Sequence, residues 1–331
     1  MLESLPGFDP AAPLLAVDDL HVEFGAARVV NGVGYAVEAG ETLAILGESG
    51  SGKSVTARAI MGLVRPPRGR ITAGAVRLRG VDLLRLPEES RRRLRATTVA
   101  MIFQDALSAL NPVLPVGFQI AELFRVHRGL SRRQARARAV EVLDLVRIPA
   151  AAQRAGDYPH QFSGGMRQRV GIALAIALDP KVIIADEPTT ALDVTVQAQI
   201  MRLLREIQRE HGTALVLITH DMGVVADVAD RVVVMYAGRV MEQAPAADVY
   251  ARPAHPYTEA LLGAIPRPHR RGRPLAVIPG APPDPARPDP GCRFRQRCSY
   301  ASEACEEAPE QVEIGPGRRT ACHEWERVSG R

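Results

Sequence analysis

The eight residues Gly47-Glu48-Ser49-Gly50-Ser51-Gly52-Lys53-Ser54 leave a chain like this one few ways to fold. They follow the apolar run Thr42 to Leu46, which reads as a buried parallel strand, and precede Val55 to Leu63, which reads as a helix. Strand, glycine loop and helix in that order make the phosphate-binding loop G-x4-G-K-S. The glycines let successive backbone N–H groups turn inward and the helix N-terminus adds partial positive charge. Lys53 then reaches the terminal phosphates and Ser54 ligates Mg²⁺. The competing reading, a plain glycine-rich turn, does not account for the flanking strand and helix.

Composition bears on this loop directly. Of the 42 lysines and arginines only Lys53 and Lys181 are lysines. A chain that uses arginine almost everywhere keeps a lysine in the loop because a compact ammonium fits between packed phosphates and backbone, whereas a guanidinium is larger and forks. The length of 331 residues allows two or three structural units. No apolar run approaches the roughly 18 to 20 residues that cross a bilayer. Residues 1–13 lack the layout of a secretory signal, so the expectation is a cytosolic protein, peripheral to any membrane it serves. Two arginine clusters, Arg91 to Arg93 with Arg95 and Arg132, Arg133, Arg136 and Arg138, have no aromatic residues interleaved and read as solvated helix faces, with no nucleic acid as partner.

Taken in order, Leu14 to Phe24 and Val29 to Val37 read as paired strands around a turn at Gly25-Ala26-Ala27, and Gly69 to Arg79 as another antiparallel piece. Phe24 stands where an aromatic ring stacks on adenine, or else in a core. Val99 to Phe103 is a strand delivering Gln104 to the crevice at its carboxyl end. From Ala106 to Leu178 the pattern turns helical, with Ala135, Ala139, Leu143 and Val146 on one face and breaks at Asn111-Pro112 and Ile148-Pro149. Ser163-Gly164-Gly165 opens the last helix of this insert, either as an anion-binding corner or as an ordinary cap.

Val182 to Ala185 then feed Asp186 and Glu187, a costly pair of acids unless a cation holds them. Ala191-Leu192-Asp193 turns into a helix with Val196, Ile200, Leu203 and Ile207 on one face. Ala214 to Ile218 forms a further core strand ending near His220, and Val232 to Met235 with Val240 to Gln243 make a hairpin across Gly238.

These elements together resemble the nucleotide-binding subunit of ATP-binding cassette (ABC) transporters. Over about Leu14 to Tyr250 the phosphate loop, Gln104, Ser163-Gly164-Gly165, Asp186-Glu187, Asp193 and His220 occur in that family's order. The signature carries Phe162 and Met166 where the family more often has leucine and glutamine. That variant is similar to the oligopeptide and dipeptide importer branch, as are Leu110-Asn111-Pro112 and His255-Pro256-Tyr257-Thr258. Chromosome-maintenance relatives place a long coiled coil between loop and signature, whereas 109 residues without sustained heptads separate Lys53 from Ser163 here. Translation-associated members carry two cassettes in one chain, and this chain has one.

Residues 251–331 form a proline-rich extension, with 13 of the 26 prolines in the last 80 residues. All four cysteines, Cys292, Cys298, Cys305 and Cys322, lie there in the spacing C-x5-C-x6-C-x16-C. Such clustering in a cytosolic chain points to a metal or cluster, or to free thiols, before disulfides, and matches no common zinc-finger spacing. The resemblance to peptide-importer ATPases, through Ile278 to Pro283 and Gly291 to Cys298, implies a [4Fe-4S] cluster on the four cysteines, with zinc as the alternative.

The expected architecture is thus α/β: a P-loop NTPase core over residues 14–250, with an antiparallel β subdomain, a helical insert at about 106–178 and the cysteine-containing extension. The resemblance implies ATP bound by Gly47 to Ser54, with Phe24, the signature and Asp193 also lining nucleotide. It places Mg²⁺ on Ser54, Gln104 and Asp186, assigns Glu187 to the attacking water and His220 to the γ-phosphate, and makes the signature serine close over ATP held by a partner cassette. The implied partners are a second, different ATPase subunit, two transmembrane permease subunits and an extracytoplasmic solute-binding protein, at the cytoplasmic face of the inner membrane. The implied work is uptake of di- or oligopeptides or a related solute. An ABC-type ATPase acting on nucleic acid, or as a soluble regulator without a channel, is the alternative.

Overall fold

A computed structural model describes residues 2–330 apart from 191, 266–276 and 288. Its contacts divide into two compact units, each drawn from separated stretches of the chain.

One unit is built mainly from Arg85–Ile218. Its centre is three parallel strands, Val99–Ile102, Val182–Asp186 and Ala214–Ile218, with the second in the middle: Val99 pairs with Val182, and Asp186 with Ile218. Every residue of all three is buried, as expected of parallel strands covered on both faces. The first of them stops at Ile102, so Phe103 lies beyond the strand that the apolar run predicts.

The insert is helical as read. Val116–Arg128 leads to Arg132–Leu145, which Ser131 and Gln134 open with a reciprocal capping box. Ala135, Ala139, Val142, Leu143 and Val146 are its buried face, and small residues there bring helices close: a side chain on Gly117 would come within 2.6 Å of the Ala155 carbonyl oxygen. The helix Gly164–Ile176 ends the insert, and Val194–His211 follows the acidic strand with Ile200, Leu203 and Ile207 buried. Ala191, which the sequence places in the turn into this helix, lies outside the described residues. Three arginines of the first cluster pair with acids on their own helix, Arg91 and Arg95 with Glu88 and Arg93 with Glu89.

The other unit holds Glu3–Val37, Thr42–Leu84 and Thr219–Arg331. Leu15–Phe24, Ala27–Val37, Arg70–Leu78 and Val81–Asp82 make a four-stranded antiparallel sheet. Thr42–Leu46 runs parallel to Arg231–Tyr236, which forms a hairpin with Arg239–Pro245. The extension adds two strands to that hairpin: Arg318–Thr320 pairs with it through Thr320 and Glu242, and Val312–Gly315 pairs with Arg318–Thr320 in turn. Proline density is thus compatible with order here because the extension packs on an existing core. Tyr257, Cys292, Phe294 and Cys305 lie in one apolar cluster with Leu46, Val232, Val234 and Tyr236.

Candidate active site

The phosphate loop follows a strand whose five residues are all buried. Gly47 and Gly52 take positive φ, at +150° and +98°. A side chain on Gly47 would run into the Met235 carbonyl, and one on Gly52 would lie 2.8 Å from the Val29 carbonyl oxygen. Close backbone approach therefore requires both glycines. Gly52 is the helix cap, so the helix starts at Lys53 and spans Lys53–Ile60, two residues earlier than the apolar pattern predicts.

Lys53 is 4% exposed and its ammonium donates to the Gly47 carbonyl at 2.7 Å, the Glu48 carbonyl at 2.9 Å and Ser51 Oγ at 3.3 Å. Three acceptors around one point suit a small cation with three rotatable donors. Glu48 is fastened as well: its N–H donates to Tyr257 Oη at 2.8 Å, and its carboxylate accepts both terminal nitrogens of Arg297 at 2.7 and 3.0 Å. Phe24 sits at its strand's end, 36% exposed, with its ring over Gly69, so the core reading of this residue does not hold.

In the Arg85–Ile218 unit, Asp186 ends the central strand and is 3% exposed. Glu187 follows in the left-handed region at φ +46°, a backbone state that costs a non-glycine residue about 1 kcal/mol or more. Its N–H donates to the Ile218 carbonyl at 2.9 Å. Its carboxylate accepts from Gln104 Nε2 at 3.1 Å and from Thr190 Oγ1 at 2.8 Å. The fold therefore brings Gln104 and Glu187 together across 83 residues of sequence. With its amide nitrogen given to Glu187, Gln104 presents an amide oxygen, and with the Asp186 carboxylate it offers the hard oxygen donors that Mg²⁺ takes. Ser54 and the exposed His220 belong to the other unit.

The signature corner has fewer ties. Ser163 Oγ accepts the Met166 N–H at 3.4 Å, and Ser163 and Gly164 are exposed. Asp193 caps the helix Val194–His211 by accepting the Val196 N–H at 2.9 Å. The two helix starts touch: a Cβ on Gly165 would lie 2.8 Å from Val196 Cγ1.

The four cysteines are free thiols, and Cys322 is near enough to the other three to feel their charge. Among the described residues, however, no group of three or more histidine, cysteine or acidic side chains is disposed to hold a metal ion. Cys292 and Cys305 share one apolar cluster, with Cys298 packed against it. Cys298 Sγ accepts the Tyr300 N–H at 3.4 Å, Cys305 lies 3.8 Å from Ser302 Oγ, and Cys292 is buried in the apolar cluster. Burial pushes Cys298 up to about 11 and Cys322 up to about 12, favouring thiol over thiolate.

Thr190, Tyr257 and Arg297 hold Glu187 and Glu48 in place, contacts that the motifs did not supply. Thr190 had a signal, a hydroxyl three residues after Glu187. Tyr257 and Arg297 stand in segments that carry the peptide-importer resemblance, but Arg297 is 249 residues from its partner and nothing in the sequence pairs them.

A glycine loop around a buried lysine, an acid pair ending a buried parallel strand and a serine–glycine corner opening a helix define a P-loop ATPase of the cassette class. Residues 30–190 match the ABC transporter family model, and residues 241–305 match that of the oligopeptide/dipeptide transporter C-terminal region. The chain is 51% identical over 317 residues to the oligopeptide transport ATP-binding protein OppD of Salmonella typhimurium, covering 95% of this chain and 94% of that one. It is 49% identical to a putative peptide import ATP-binding protein of Brucella abortus, covering 94% and 95%. Among solved structures, a dimeric ATP-binding cassette in a post-hydrolysis state with ADP and Pi matches 70% of this chain and 98% of its own, at 28% identity and a TM-score of 0.63. The chain therefore belongs to the ATP-binding subunits of ABC transporters, in the oligopeptide/dipeptide branch, and its reaction is ATP hydrolysis coupled to transport.

Proposed function

We propose that this subunit powers uptake of di- or oligopeptides through a separate channel. The observation that carries the reading is the peptide-transporter type of C-terminal region, residues 241–305, sharing a core with the phosphate-loop strand. Its relatives are named for oligopeptide transport and peptide import.

In the proposed cycle, residues Gly47 to Ser54 hold the phosphates, Phe24 stacks on the adenine, and Ser54, Gln104 and Asp186 would hold Mg²⁺, which would supply charge neutralisation at the phosphate oxygens. Glu187, already carrying two hydrogen bonds through Gln104 and Thr190, orients and polarises the attacking water, and His220 holds the γ-phosphate. Because phosphoryl transfer needs positioning and charge compensation, none of these residues forms a covalent bond.

Ser163, with Gly164 and Gly165, completes the nucleotide site of a second cassette, and Asp193 also lines nucleotide. ATP then acts as a clamp by binding the closed pair better than the open one. The second cassette is a different subunit, and two permease subunits and an extracytoplasmic binding protein complete the complex at the cytoplasmic face of the inner membrane. Support for a docking face on the insert comes from a groove of about 620 Å³ lined by Gly117, Phe118, Ala121, Arg125 and Ala155, where Phe118 is 47% exposed. Among the described residues no helix is long and apolar enough to cross a membrane.

The test is reconstitution with the two permeases and the companion ATPase. Peptide-loaded binding protein should stimulate ATP hydrolysis, and absence of stimulation by any peptide would overturn the reading. For Cys292, Cys298, Cys305 and Cys322 we keep the [4Fe-4S] cluster as a proposal supported by their shared neighbourhood. Iron and acid-labile sulfide after anaerobic purification decide it; stoichiometric zinc without iron removes it.

A further inference from the structure

Glu48 is an acid in the middle of a loop whose task is to receive a polyanion. An uncompensated carboxylate there would repel the triphosphate that the loop's amides, Lys53 and the helix start attract. Arg297 provides the compensation from the far end of the chain.

Its side chain is 5% exposed, and all five of its N–H donors are used. Nε donates to the Pro279 carbonyl at 2.8 Å. Nη1 donates to Glu48 Oε2 at 2.7 Å and Tyr236 Oη at 3.1 Å. Nη2 donates to Glu48 Oε1 at 3.0 Å and the Ile278 carbonyl at 3.3 Å. Its guanidinium carbon lies 5.6 Å from the Tyr236 ring centre and 5.9 Å from that of Phe294. Held by rings and carbonyls, the guanidinium has little freedom left, and its two-pronged contact fixes the plane of the Glu48 carboxylate. Glu48 in turn meets Lys53 through its carbonyl and Tyr257 through its N–H.

We propose that Arg297 is a positioning residue for nucleotide binding: it cancels the charge of Glu48 and sets the loop segment on which Lys53 rests. The bland alternative is that the pair merely anchors the extension to the rest of its unit. The two differ in what happens when both charges are removed. An anchor lost is lost whichever partner goes, whereas a repulsive carboxylate left behind by Arg297→Gln is relieved by also making Glu48→Gln.

The experiment measures ATP affinity and steady-state hydrolysis for the full-length subunit in its complex, as wild type, Arg297→Gln, Glu48→Gln and the double variant. Arg297→Gln should weaken ATP binding by about 10-fold, with kcat at saturating ATP within about 2-fold; the double variant should return to within about 3-fold of wild type. The loss should be smaller for ADP, which carries less charge. Unchanged affinity in Arg297→Gln, or a loss that the second substitution does not relieve, overturns the proposal. Should Arg297→Gln fail to fold, Arg297→Lys takes its place: it keeps the charge and the stem but loses the fork. It should lose about 3-fold in affinity, relieved by Glu48→Gln, and no loss or no relief overturns the proposal equally. Failure of the wild-type complex to bind ATP would instead sink the nucleotide reading itself.

Discussion

The phosphate loop and the signature corner are both glycine-opened helix starts, yet their surroundings differ. In the first, Lys53 is buried on three oxygens and Glu48 is held at its N–H, its carbonyl and its carboxylate. In the second, Ser163 and Gly164 are exposed and the capping bond is a long 3.4 Å. A site finished by its own chain is fastened before ligand arrives, at an ordering cost met during folding. A corner left open at the surface suits the role proposed for it, closing on a ligand that another subunit holds.

Several substitutions would break or sharpen that contrast. The largest effect belongs to Glu187→Gln, which should lower hydrolysis by about 10³-fold while ATP affinity stays near wild type. Single-turnover hydrolysis and equilibrium binding on one preparation check this, and retained turnover would remove Glu187 from its role. Ser163→Arg should cost the assembled complex about 10²-fold in hydrolysis and leave ATP affinity of the isolated subunit unchanged. An equal fall in the isolated subunit would show the corner serving its own chain, and the contrast would fail. Phe24→Ala should weaken ATP about 10-fold and leave affinity for inorganic triphosphate alone, since stacking on a base is worth about 1–3 kcal/mol.

The smallest effect concerns the junction between hairpin and extension. Glu242 is 1% exposed and accepts the Ala254 and His255 N–H groups, and burial raises its carboxyl from 4.5 to about 7. A carboxyl that holds its proton more tightly when folded adds stability below its unfolded value, lost as pH rises through about 7. His255, lowered from 6.5 to about 3 by burial, works the other way, its contribution being lost as pH falls from 6.5 towards 3. The two slopes oppose one another between pH 4.5 and 6.5, and Glu242 alone acts above that. Glu242→Gln should therefore remove a decline in melting temperature of about 2 °C between pH 6.5 and 7.5. An unchanged slope would show that Glu242 is already ionised in the folded chain.

What was legible in the sequence is what local pattern controls. Residues 43–46, 182–185 and Ala214–Ile218 are apolar throughout because both faces are buried, and the strand bounds follow closely from these residues. Gln104 was placed at a strand end on the pattern alone, and its hydrogen bond to Glu187 depended on Val99–Ile102 lying beside Val182–Asp186. The left-handed turn at Glu187 left no trace, since nothing about a glutamate advertises positive φ. The link between Glu48 and Arg297 was invisible because arginine is the chain's default cation. The cysteines taught the reverse: clustering in sequence did bring the thiols near one another, although among the described residues no group of three or more is disposed to hold a metal ion.

Gly165 and Val196 mesh like a gear tooth and its notch, with a valine methyl occupying the space where a side chain at 165 would stand. The two helix starts are thus in direct van der Waals contact, which gives a displacement of the serine corner a physical route to the helix that Asp193 opens.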